Sequence, residues 1–142
     1  MKITSLLISF AVLSTGCASN PNTYSSSGAP STDLATVYCE DAKWYDAKIT
    51  PKIVGVYSEG GEEVIGTSFW GKAFHREVKL EPGKYLFTVK CGNGSVYAYP
   101  RAVAELMPSR RYILNCIATT KTGFLGLSSW DKVRAEIREF GK

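Results

Sequence analysis

Few residues in this 142-residue chain are equipped to do chemistry. Four cysteines, at positions 17, 39, 91 and 116, offer thiols for acylation, disulfide formation or metal binding. None of their spacings matches a zinc motif, and His75 is the single imidazole, so no metal site is expected. Covalent or acid–base catalysis needs a nucleophile beside a base, or paired carboxylates in apolar surroundings. His75 lies between Phe74 and Arg76 beside a predicted strand, which suits a surface or turn residue better than a base. Glu40, Asp41 and Asp46 share one predicted connection, where Asp41 and Asp46 are read as turn or cap residues. Neither a glycine-rich phosphate loop nor a Gly-x-Ser-x-Gly elbow occurs. The chain is read as non-catalytic, with no cofactor.

Contact chemistry is better supplied. Trp44, Tyr45, Phe69, Trp70, Phe74, Phe124 and Trp130 all fall in or beside predicted loops. The core can absorb any one of them, but together they exceed what loops need, and buried aromatic side chains supply much of the energy of a contact. Phe69 to Phe74 (Phe-Trp-Gly-Lys-Ala-Phe), with Trp44 and Tyr45, is read as a patch that contacts a protein or a glycan. On that reading Trp70→Ala abolishes partner capture and leaves the domain folded.

Cys17 has its own setting. Lys2 gives a positive start, Ser5 to Leu13 is an apolar run, and Ser14-Thr15-Gly16 leads into the cysteine. The run is far short of the roughly 20 residues a membrane-spanning helix needs and fits a signal segment. This pattern resembles the lipobox of bacterial lipoproteins, with Leu13 one place earlier than the usual leucine. The resemblance implies a signal peptide over 1–16, acylation of Cys17, and a membrane anchor that is stable once it carries two chains. Ala18, where an aspartate would favour the inner membrane, implies the outer membrane, facing the periplasm. Residues 17–33 are then a lipidated cysteine followed by a flexible linker rich in Ser, Asn, Pro and Gly, with no hydrophobic period.

About 125 residues remain after the signal, enough for one small domain with its own core. The net charge of +4 is scattered, with Arg110-Arg111 the tightest pair, so no basic stripe for nucleic acid is present.

The elements that must position these residues are strands. From Leu34 the hydrophobic pattern alternates with period two between turn signals. Leu34 to Cys39 and Lys52 to Tyr57 are predicted strands, and Ser58-Glu59-Gly60-Gly61 turns the second into a partner over Glu63 to Ser68. Arg76 to Leu80 is followed by a tight Glu81-Pro82-Gly83-Lys84 turn. Tyr85 to Cys91 then places Tyr85, Phe87, Val89 and Cys91 on one face. Pro100 inside Val96 to Leu106 predicts an edge strand or a bulge. Arg111 to Ala118 places Tyr112, Leu114 and Cys116 together. Trp130 to Phe140 fits a helix or a strand, and strict alternation of Val133, Ala135 and Ile137 with charged residues favours the strand.

About seven or eight short strands predict an all-β fold, an antiparallel β-sandwich over residues 34–142. The stretch Val78-Lys79-Leu80-Glu81-Pro82-Gly83-Lys84-Tyr85-Leu86-Phe87-Thr88-Val89 resembles the signature of PEGA-type and transthyretin-like sandwich domains. Met107 to Leu114 is similar to a second such turn in small proteobacterial lipoproteins. The resemblance implies a fold and carries no catalytic residues.

With Cys17 acylated, Cys39, Cys91 and Cys116 are left, an odd number, so an oxidising compartment gives one disulfide and one spare thiol. If Tyr85–Cys91, Val96–Leu106 and Arg111–Ala118 form one meander, the outer two strands lie roughly 9.6 Å apart. A bridge needs Cα atoms within about 7 Å, which disfavours Cys91–Cys116 and prefers Cys39–Cys91. Three buried thiols are the alternative. Two functional classes follow: a non-catalytic, membrane-anchored binding or scaffold module of the cell envelope, or a periplasmic inhibitor or immunity protein against a cell-wall hydrolase or toxin. The second rests on Val37-Tyr38-Cys39 and Phe69-Trp70-Gly71-Lys72, which are similar to pieces of membrane-bound lysozyme inhibitors.

Overall fold

A computed structural model of the chain describes residues 22–41, 49–66, 74–126 and 128–141. Ten strands occur among them. In chain order they are β1 (Thr23–Tyr24), β2 (Ala35–Cys39), β3 (Thr50–Ser58), β4 (Glu63–Ile65), β5 (Glu77–Leu80), β6 (Gly83–Gly92), β7 (Tyr97–Ala98), β8 (Arg101–Leu106), β9 (Arg111–Thr122) and β10 (Ser128–Glu139). They form two five-stranded sheets, ordered β1-β5-β2-β9-β10 and β4-β3-β6-β7, with β8 also paired to β6.

Alternation builds the core. Tyr85, Phe87, Val89 and Cys91 of β6 all turn inward, as do Ala35, Val37 and Cys39 of β2 and Val78 and Leu80 of β5. Inward faces of the two sheets meet in one apolar cluster that also takes Ile53, Val56, Leu106, Tyr112 and Leu114. Ile53 and Val56 are three apart yet both fully buried, which strict alternation forbids. A register shift between Ile53 and Gly55 against β6 explains it, since the extra residue resets the phase of the strand. The predicted terminal strand is present as β10, with Val133, Ala135 and Ile137 packed against the core. Pro100 separates β7 from β8, and β8 runs along the edge of β6.

Three expectations are corrected. The sandwich is not wholly antiparallel: β1 runs parallel to β5, and β2 parallel to β9, so the first sheet is mixed. The cause is that β2 leads into the second sheet, leaving its flank for β9, which arrives much later in the chain and runs the same way. The Glu81-Pro82 turn carries the chain from β5 in the first sheet to β6 in the second.

The flexible linker expected up to Asp33 is ordered from Asn22 onward. Lys79 N donates to Asn22 O (2.8 Å) and Glu81 N to Tyr24 O (3.2 Å), adding β1 to the free edge of β5. Ser25 and Ser26 hydroxyls bond the Glu81 carboxylate at 2.9 and 2.8 Å, and the Ser27 amide and hydroxyl do the same. Further on, Ser109, with φ of 58°, donates its hydroxyl to Thr32 O (2.8 Å). Backbone bonds and one carboxylate hold this segment, with Tyr24 packed against the core.

The third correction concerns the cysteines. Cys39–Cys91 is replaced by Cys91–Cys116, with Cα atoms 5.9 Å apart, and Cys39 is a buried free thiol. The meander breaks after β8. Because β9 lies in the first sheet, Cys116 faces Cys91 across the sandwich, and the bridge staples the two sheets together. Burial pushes the Cys39 thiol up to about 11, and its Sγ lies 3.8 Å from His75 O.

Candidate binding surface

The outward face of the second sheet is set by the same alternation that fills the core. Register places Tyr57, Leu86 and Val103 in one row across β3, β6 and β8, and Gly55, Thr88 and Arg101 in the next. Leucine and valine on the outward phase are the anomaly, for these positions should be polar in a sheet that faces water on one side. Val103 is 60% exposed. Around these rows lies an open hollow of about 530 Å³, with Tyr57, Leu86, Thr88, Arg101, Val103 and Lys84 among its lining.

The Tyr57 ring forms one wall and lies over Gly55, where an added Cβ would meet the ring in ordinary contact at 3.4 Å. The Tyr57 hydroxyl donates to Glu63 Oε2 (2.9 Å), and this bond, then burial, raises its pKa. Lys84 Nζ approaches Glu59 at 4.0 Å, while Arg101 makes no ion pair among the described residues. An apolar floor, an aromatic wall and an available guanidinium suit contact with a partner that carries negative charge.

Along the same face, Lys52 lies opposite Lys90. Lys90 Nζ sits between two rings, 5.0 Å from the Phe74 centroid and 4.7 Å from that of Tyr97. Tyr97 in turn meets Tyr99 edge to face at 5.7 Å. The cations Lys52, Lys84, Lys90 and Arg101 and the aromatics Tyr57, Phe74 and Tyr97 thus share one side of the sandwich.

Of the residues expected to bind a partner, Phe74 is therefore placed on this surface, half-buried. Trp44, Tyr45, Phe69 and Trp70 lie outside the described residues, as do Cys17, Asp46 and the Gly71-Lys72 pair. Val37 and Cys39 point into the core, and Tyr38 stacks edge-on with Phe140 at 5.9 Å. His75 completes a backbone bridge with Ile53, and its Nε2 bonds Gly66 O at 2.9 Å, so the ring is spent on structure. Asp41 pairs with Arg76. Asn115, with its amide nitrogen set toward Glu40, bonds Glu40 Oε2 and Arg138 Nη2, both at 2.7 Å.

Tyr57, Leu86, Arg101 and Val103 were not singled out from the sequence. Their signal was available in the outward apolar residues of two alternating strands, but it needs the cross-strand register to become a site. Compared with family models, with curated proteins and with solved structures, the chain finds no match.

Proposed function

We propose that the chain is the precursor of a lipid-anchored envelope protein whose β domain is a non-catalytic binding module for a protein or glycan that presents negative charge. The observation that carries the binding half is the hollow on the second sheet, where half-buried Leu86 and exposed Val103 form an apolar floor beside Arg101. The anchoring half rests on Ser14-Thr15-Gly16-Cys17 behind a short apolar run. Ala18 supports an outer-membrane address facing the periplasm. The Cys91–Cys116 bridge fits an oxidising compartment. The finer likeness to PEGA-type and transthyretin-like domains, carried by Val78 to Val89, belongs to the same proposal.

Two measurements test it. A photo-crosslinking residue at Val103 should capture a specific envelope component, and Arg101→Glu should weaken its binding about ten-fold or more, the scale of an interface anchor. Equal capture from Thr36, on the opposite sheet, would remove the hollow from consideration. Cys17→Ala should lose both the acyl mass and the membrane fraction.

A further inference from the structure

We infer that the tip of the β9–β10 hairpin is a second point of contact with the bilayer, a reading that rests on Cys17 as the lipid anchor. The two strands pair from Tyr112 with Glu139 out to Thr122 with Ser128, and the described residues of the outer third are mostly exposed. At the end Gly126 N donates to Gly123 O (3.0 Å), and Gly126 takes φ of 73°. This turn holds Phe124 and Leu125 at the apex, 104% and 79% exposed. Apolar side chains so fully given to water gain free energy by entering an apolar medium.

The occupant follows from size, charge and direction. Phe124 and Leu125 together bury on the order of a few hundred Å², well under the roughly 800 Å² per partner of a stable protein interface. A bilayer interface asks for no such area and accepts a small apolar tip on a polar stem. Thr119, Thr120, Thr122 and Ser129 supply that stem. The sole charge from Ile117 to Trp130 is Lys121, and no acid occurs between Leu106 and Asp131, which suits an anionic lipid surface.

Topology supplies the direction. β9 runs parallel to β2, β5 antiparallel to β2, and β1 parallel to β5, so β1 runs against β9. The chain coming from Cys17 therefore joins the sheet from the side toward which the hairpin projects. Thr23 is level with Lys79, Thr36 and Arg111. Six residues from Cys17 to Thr23 span at most about 21 Å. From Arg111 to Thr122 the strand advances about 36 Å. The leash is shorter than the hairpin, so an anchored domain meets the bilayer with this tip, the hairpin slanting across the surface.

The test uses the full chain in the membranes of the cells that express it. A photo-reactive phenylalanine analogue replaces Phe124 in one protein and Val103 in another, and adducts are identified by mass. Lipid adducts at position 124 should exceed those at 103 by about ten-fold, equivalent to about 1.4 kcal/mol of preference for the apolar phase. A protein adduct at 124, or lipid labelling no greater than at 103, overturns the inference. The acyl mass on Cys17, read from the same sample, reports on the anchor separately. Lipid labelling at 124 without that mass would sink the anchor and keep the tip.

Discussion

Glu81 shows how much one surface carboxylate can organise. Its hydrogen bonds, foremost that from the Ser27 hydroxyl, take its pKa from the ordinary 4.5 down to about 2. A carboxyl depressed on folding contributes stability that is complete above about pH 4.5 and fades as pH falls toward 2. The Ser25–Ser27 clasp should therefore open in that window, seen as faster amide exchange at Ser27, and Glu81→Ala should open it at neutral pH. Cys39 has the opposite sign. Burial raises its thiol from 9.0 to about 11, so its contribution is whole below pH 9 and is lost as pH climbs toward 11. Iodoacetamide at pH 8 should modify Cys39 only after unfolding. The Cys91–Cys116 bridge joins residues 25 apart in sequence. Replacing both with serine should lower the unfolding free energy in urea by about 3.5 kcal/mol, by the chain-entropy relation.

Strand existence was legible because each long strand declares its buried face in its own residues. β6, with four inward side chains in strict alternation, is the clearest, and its Phe87 is the largest fully buried side chain among the described residues. Phe87→Ala should cost about 3–5 kcal/mol, measured by denaturant titration. Alternation says which face of a strand is inward, but not which sheet the strand joins. That gap explains the cysteine error: Cys116 was placed on the right face of β9 and in the wrong sheet. β1 was illegible for another reason, since two residues held by backbone bonds have no period to detect. The hollow was not legible: Phe74, the aromatic expected to meet a partner, lies beside Lys90 and outside the hollow, and Arg101 and Val103 acquire meaning only beside Tyr57 and Leu86, on other strands.

At the scale of the molecule the two ends of the chain depend on each other. β2 lies between β5 and β9 and touches no strand adjacent to it in sequence within its sheet. Deleting everything after Met107 removes β9 and β10, strips β2 of one neighbour and Cys91 of its partner, and should leave a chain without cooperative unfolding by circular dichroism. Contacts this distant along the chain also place the domain among slow-folding topologies, on the order of milliseconds to seconds. The position of β2 then bears on biogenesis. As the N-terminal half emerges from the ribosome, its first long strand has no permanent neighbour on one side until the last third of the chain exists. Such a polypeptide cannot complete its first sheet before the final hairpin exists, so the export proposed above would act on a chain that is not yet folded.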